Sequence, residues 1–147
     1  MNIGIIVCSH TGNTLSVAAK LKENLATHGH MVTLEKIEDD TLSKINTSLI
    51  NSWDAVIFCS YVQGGAPAVP MKSYLEGVPS LQGKRVACLV TGAFPSCIGR
   101  KQTINYIKQA CELKGAKICG IGSVGWWSFN RSRQISEVVN HLTNCFK

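Results

Sequence analysis

No two of the seven cysteines form a C-x-x-C pair, and their number is odd. A zinc site or a disulfide framework needs tighter spacing or a secreted context, so these residues read as thiols kept reduced. Cys8, Cys59, Cys88 and Cys119 lie inside apolar runs, where a thiol behaves as a small buried hydrophobe. No stretch approaches the roughly 18 uninterrupted apolar residues of a membrane span. The first ten residues lack the basic region that precedes the apolar core of a secretory leader. The chain therefore reads as cytoplasmic, with no membrane association. Charge is scarce too: 16% of residues, against roughly 25% in an average soluble domain. Missing as well are a Ser-His-Asp or Cys-His arrangement, paired carboxylates and any nucleic-acid motif. Hydrolysis and nucleic-acid binding are disfavoured. His10 has no companions at metal-ligand spacing, so neither a metal nor a catalytic side chain is assigned.

What is present is aliphatic. Hydrophobic residues make up 45% of 147 residues, enough for the core of one domain spanning 1–147. High aliphatic content with little charge is what a sheet buried on both faces produces. Residues 2–8 form a short aliphatic run, and 13–28 repeat apolar positions at a helical period, stopped by Gly29. Met31 to Ile37 alternates, as an exposed edge strand does. Residues 40–52 are polar, a short helix at most. Strands are predicted at Ala55–Ser60, Arg85–Val90 and Lys117–Val124, and helices at Pro70–Glu76, 101–114 and Ser132–Phe146. Five strands alternating with helices imply crossover connections and a parallel α/β sheet.

Charge is divided unevenly. Residues 1–83 hold five Lys and no Arg against seven acids, a balance of −2, whereas residues 84–147 carry +8. A basic half suits an acidic protein partner or an anionic substrate, or is simply solvated helix surface.

Ligands of open parallel sheets bind outside the carboxyl ends of the strands. Three loops leave those ends here. Ser9-His10-Thr11-Gly12-Asn13-Thr14 stands between a strand and a helix start, where backbone N–H groups are unpaired and the helix dipole favours an anion. Hydroxyls and an amide add neutral donors, and Gly12 permits close approach. The loop has no Lys or Arg, which rules out a Walker-type site. The second loop is Ser60-Tyr61-Val62-Gln63-Gly64-Gly65-Ala66-Pro67, and the third runs from Thr91 and Gly92 through Phe94 and Cys97 to Gly99. Arg100 and Lys101 follow it, either attracting an anion or solvated. After the last strand, Trp126 and Trp127 either leave an apolar surface or divide, one packing inward.

Ser9-x-Thr11-Gly12-x-Thr14, followed by Ala18 and Leu21, resembles the flavodoxin phosphate loop. Val7 departs from the pattern, which usually places an aromatic there. The resemblance covers the whole chain. It implies a flavodoxin-like doubly wound sheet of five parallel strands, order 2-1-3-4-5, with helices on both faces. It also implies flavin mononucleotide (FMN) as cofactor and electron transfer as function. Ser9–Thr14 would hold the phosphate. Tyr61, Val62, Gln63, Gly64 and Gly65 would border the isoalloxazine ring, with a Gly64-Gly65 peptide free to flip toward the reduced N5. Thr91, Gly92, Phe94 and Gly99 would contact its pyrimidine side, and a plain loop thiol is the better reading of Cys97. Flavodoxins are usually acidic, so the basic balance departs from the family and puts its ordinary partners in doubt. An acidic ferredoxin or NAD(P)H fits the charge. Two alternatives stand beside electron transfer: an NAD(P)H-dependent quinone or FMN reductase, and an interaction module without cofactor. The intact first loop argues against the latter. The oligomeric state stays open.

Overall fold

The aliphatic runs become one parallel sheet, because the central ones are apolar on both of their faces and crossover helices cover both. The computed structural model describes residues 1–38, 47–93 and 98–147. Its strands are β1 (Asn2–Cys8), β2 (Met31–Lys36), β3 (Ala55–Gln63), β4 (Ala66–Pro67), β5 (Arg85–Gly92) and β6 (Lys117–Gly125). Its helices are α1 (Asn13–Thr27), α2 (Val69–Gly77), α3 (Ile98–Glu112) and α4 (Arg131–Asn144). The parallel order is β2-β1-β3-β5-β6, and the two-residue β4 turns back antiparallel on the end of β3. Without β4 this is the expected 2-1-3-4-5 order. Of the polar stretch 40–52, Thr47–Ser52 forms a short 3₁₀ helix, and residues 39–46 lie outside the described residues.

The period-2 alternation of the strands sorts the core into two layers. Ile3, Ile5 and Val7 of β1, with Ile57 and Leu89, meet Val17, Leu21 and Leu25 of α1 and Ile135, Val139 and Leu142 of α4. Ile6, Phe58, Cys88 and Val90 face the other way, toward Met71, Tyr74 and Leu75 of α2 and Ile104 and Ile107 of α3. On that second face Gly4 leaves a gap in β1 that the buried Trp53 ring fills. A Cβ built on Gly4 would lie 1.9 Å from the ring.

Cys8, Cys59 and Cys88 are buried as expected, and Cys111 joins them. Cys119 does not: it is only half-buried. The register of β6 against β5 slips by one residue, pairing Val86 with Ile118 but Ala87 with Gly120. Cys119 is the extra residue of that bulge, and bulges re-aim side chains out of the strict alternation. Among the described residues, no helix is long and apolar enough to cross a membrane.

Burial has a consequence at high pH. It pushes the Cys111 thiol up to about 12, raises those of Cys59 and Cys88 well above the ordinary range, and raises the Tyr74 hydroxyl to about 12, with a smaller contribution from Glu35. Thiols of the unfolded chain ionise near about 8.5. Above that pH the native state binds more protons than the unfolded one, so stability falls as pH rises. Below it the contribution is complete. Urea midpoints are therefore expected to be flat from pH 6 to 8 and to drop above about pH 9, by up to about 1.4 kcal/mol per pH unit for each such thiol. Cys59→Ala and Cys88→Ala should each make that slope shallower.

Candidate functional site

The first loop is shaped by a serine and a glycine. The Ser9 hydroxyl oxygen accepts hydrogen bonds from the Gly12 N–H at 3.1 Å and the Leu15 N–H at 3.3 Å, which folds the loop back on itself. Gly12 has φ +87°, a conformation other L residues rarely adopt, and no protein atom lies within 4 Å of where its Cβ would be. Backbone can thus be approached closely at that point. Asn13 and Thr14 open α1, where amide N–H groups have no acceptor within the helix. His10, Thr11 and Gly12 are exposed, and Ser9 and Asn13 half-buried. Thr14 differs from its neighbours. Its side chain is buried, with Oγ1 2.7 Å from Thr91 Oγ1, so it ties the first loop to the end of β5.

The second loop is more ordered than the composition suggests. β3 continues past Ser60 to Gln63, and Gln63 and Val62 pair with Ala66 and Pro67. Gly64 (φ +61°) and Gly65 (φ +76°) are the two central residues of this tight hairpin. Positive φ at both positions is the signature of a type I′ turn. Gly65 also packs closely on α3, since a Cβ there would lie 2.4 Å from Gln102 Oε1. Ser60 Oγ holds the hairpin's base, donating to the Tyr61 carbonyl at 2.9 Å and accepting from the Ala68 N–H at 3.2 Å. The half-buried Tyr61 leans toward His10, with ring centroids 5.9 Å apart, joining the first two loops.

At the ends of β5 and β6 the backbone itself makes the connection. The Trp126 N–H donates to the Gly92 carbonyl at 2.7 Å, and the Trp127 N–H to that of Ala93 at 3.1 Å. Trp126 packs partly into the core beneath the Arg131 guanidinium, 4.7 Å from its ring centroid. Trp127 is 64% exposed and Phe129 wholly so. The two tryptophans do divide, one inward and one outward. Phe94 and Cys97, both assigned to this region, lie outside the described residues.

Between the hairpin and the start of α3 lies a cavity of about 400 Å³ lined by Val62, Gly64, Gly65, Gly92, Ala93, Gly99 and Arg100. It gathers five of the sequence-predicted residues from three segments. Gln63 is turned away, its Oε1 accepting from the Val69 N–H at 3.1 Å, and Thr91 stands behind the wall in its bond to Thr14. Ala93 and Arg100 were not assigned to this wall. Arg100 is not a solvated surface charge, one of the two alternatives for it, but 7% exposed. Its side chain lies over Gly92 and Gly125, whose missing Cβ atoms make the room. The signal available in sequence was a cation in the first turn of a helix, where acids are favoured. Among the described residues no group of three or more His, Cys, Asp or Glu could hold a metal ion.

A loop of neutral donors at a helix N-terminus, beside a mostly apolar cavity, suits a phosphate joined to a flat ring system. The comparisons agree. The family model described as Flavodoxin matches residues 5–142. No curated protein sequence matches the chain. Among solved structures, the Streptococcus pneumonia TIGR4 flavodoxin superposes with a TM-score of 0.76 at 17% identity, covering 98% of this chain and 99% of that one. Oxidised flavodoxin 2 from Bacillus cereus gives 0.74 at 21% identity, with 98% and 99% covered. Two-electron reduced Megasphaera elsdenii flavodoxin gives 0.73 at 19%, with 93% and 97% covered.

Proposed function

This chain belongs to the flavodoxin family, an FMN-binding electron-transfer family, and from that premise we propose how its residues hold the cofactor and which partner it meets. The amides of Asn13 and Thr14, the hydroxyl hydrogens of Ser9 and Thr11 and the Asn13 side chain bind the phosphate as neutral donors. Val62, the Gly64-Gly65 turn, Gly92 and Gly99 enclose the ring. When bound, FMN supplies reversible acceptance of one or two electrons. The protein's part is to orient it, shield one edge and set its electrostatic surroundings.

For the partner, the supporting observation is the charge of the rim. None of the four helices has an acidic residue in its first turn. Lys101 in the first turn of α3 and Arg131 and Arg133 in that of α4 are exposed. Basic side chains there add to the positive ends of the helix dipoles instead of offsetting them. Exposed Ile98, Trp127 and Phe129 lie among these charges. We infer an acidic redox protein that docks on this rim. Among the described residues the six cysteines form no disulfide, in keeping with a reducing compartment, and we place the protein in the cytoplasm.

Stopped-flow reduction by an acidic ferredoxin tests this reading. The rate is expected to fall steeply as salt shortens the Debye length from about 30 Å at 0.01 M to about 10 Å at 0.1 M. Lys101→Glu and Arg131→Glu should slow it about tenfold each at low salt while FMN affinity stays unchanged. Rates flat across salt and both variants would remove the acidic partner. Rapid NAD(P)H oxidation with a quinone and no protein partner would assign the reductase class instead.

A further inference from the structure

We propose that Cys119 and Cys145 are a redox pair, which a small-molecule disulfide converts into an internal disulfide tying the end of α4 to β6, the last strand of the sheet. The pairing originates in the bulge of β6. Ile118 packs on the α3 side of the sheet, whereas Gly120 faces α4, since a Cβ there would lie 3.2 Å from Leu142 Cδ2. Cys119, the extra residue between them, packs on the α4 side as well. α4 ends at Cys145, its C-cap. Cys145 Sγ lies against Gly120, 2.5 Å from where a Cβ would be. The absence of that one methyl group lets the thiol reach the neighbouring residue, and the Cys119 and Cys145 thiols share a hydrogen bond. Both are half-buried, whereas Cys8, Cys59, Cys88 and Cys111 are buried. Cys119 also lines an open surface cleft of about 640 Å³, with Lys108 and Glu112 of α3, Ile121 of β6 and His141 of α4. A small disulfide can enter there.

The Cys119 thiolate attacks one sulfur of the incoming disulfide. A bond between protein and reagent forms, the reagent's own S–S bond breaks, and one reagent thiolate leaves. Cys145 then gives up its proton to solvent and attacks Cys119 Sγ. The internal S–S bond forms and the second reagent thiolate leaves. In sum, two protein thiols lose two electrons and two protons, and the reagent gains them as two thiols. The second attack comes from a thiol already in contact, so it outruns a second reagent molecule. Burial pushes the Cys119 thiol up to about 11, with Arg85 partly opposing it, and raises that of Cys145. Few thiolates are present near neutrality, so exchange is slow and its end point is set by equilibrium. A reducing compartment keeps the pair as dithiol, and a shift to an oxidising poise closes it. Closure loops out residues 120–144, which carry the exposed Trp127 and Phe129, and it stabilises the fold by restraining the unfolded chain.

The test holds the native full chain in mixtures of oxidised and reduced glutathione until its composition is constant, then blocks free thiols and cleaves after Lys and Arg. Cys119 and Cys145 fall in separate peptides, 118–131 and 134–147, each with a single cysteine. Mass spectrometry should find these two peptides joined, lighter by two hydrogens than their sum, as the main oxidised species. The urea midpoint of the joined protein should exceed that of the dithiol by about 1 M. Cys145→Ser should instead retain glutathione on Cys119 and show no such rise. The proposal is overturned if oxidising mixtures leave both cysteines of the native protein unmodified or carrying separate glutathione adducts. It is equally overturned if the joined peptides appear only once urea has unfolded the chain. A joined protein whose midpoint is at or below that of the dithiol also overturns it, because the bond would then strain the fold instead of linking side chains already in place.

Discussion

Gly4→Val is expected to destabilise the protein by about 3 kcal/mol or more. Most added methyl groups in a core cost about 1–3 kcal/mol because neighbours shift a little. Here there is no room to shift. A Cβ on Gly4 would lie 1.9–2.2 Å from three atoms of the Trp53 ring. Trp53 is itself buried between β1 and the second core layer, and its carbonyl accepts from Lys84 Nζ at 2.6 Å. Either the indole leaves its site or β1 moves, and β1 is paired on both sides. Denaturant midpoints measure the loss. Pairing Gly4→Val with Trp53→Ala in a double-mutant cycle should recover a substantial part of it, because the second substitution removes the clashing ring. Full additivity of the two changes would mean that the indole does not fill the gap over Gly4.

Ser9→Ala is expected to weaken FMN binding by about ten- to a hundredfold and to leave riboflavin binding nearly unchanged. The Ser9 oxygen holds two loop amides, those of Gly12 and Leu15, and in the proposed site its hydroxyl hydrogen would donate to the phosphate. A hydrogen bond to a charged group contributes about 1.5–3 kcal/mol. Riboflavin has no phosphate and should not respond. Thr14→Ala is a less selective probe. Its hydroxyl is paired in a buried site with Thr91, so truncation also leaves Thr91 unsatisfied and costs stability. Isothermal titration of both variants with both flavins separates the two roles. Equal loss of FMN and riboflavin in Ser9→Ala would mean that the serine shapes the fold of the loop and does not act on the phosphate.

The sequence carried the local part of this architecture well. β1, the Ser9–Thr14 loop and α1 are encoded by a contiguous stretch: an aliphatic run, a cluster of hydroxyls around a glycine, then a helical period. Strand order followed from the resemblance that the loop brought with it. What stayed hidden depends on pairs of segments far apart. The β3–β4 hairpin reads as a glycine loop until Val62 and Gln63 are seen to pair with Pro67 and Ala66. Cys119 sits in an apolar run, and only its register against β5 shows that it belongs to a bulge. Arg100 is the clearest case. Residue type marks it as a surface cation, and its burial depends on Gly92 and Gly125, on two different strands, having no side chains.

Fluorescence titration of the apoprotein with FMN and with riboflavin tests the central claim most directly. Two or more charge-assisted hydrogen bonds to the phosphate predict that FMN binds at least about a hundredfold more tightly than riboflavin. Equal affinities for the two would contradict the assignment of Ser9–Thr14 as the phosphate site.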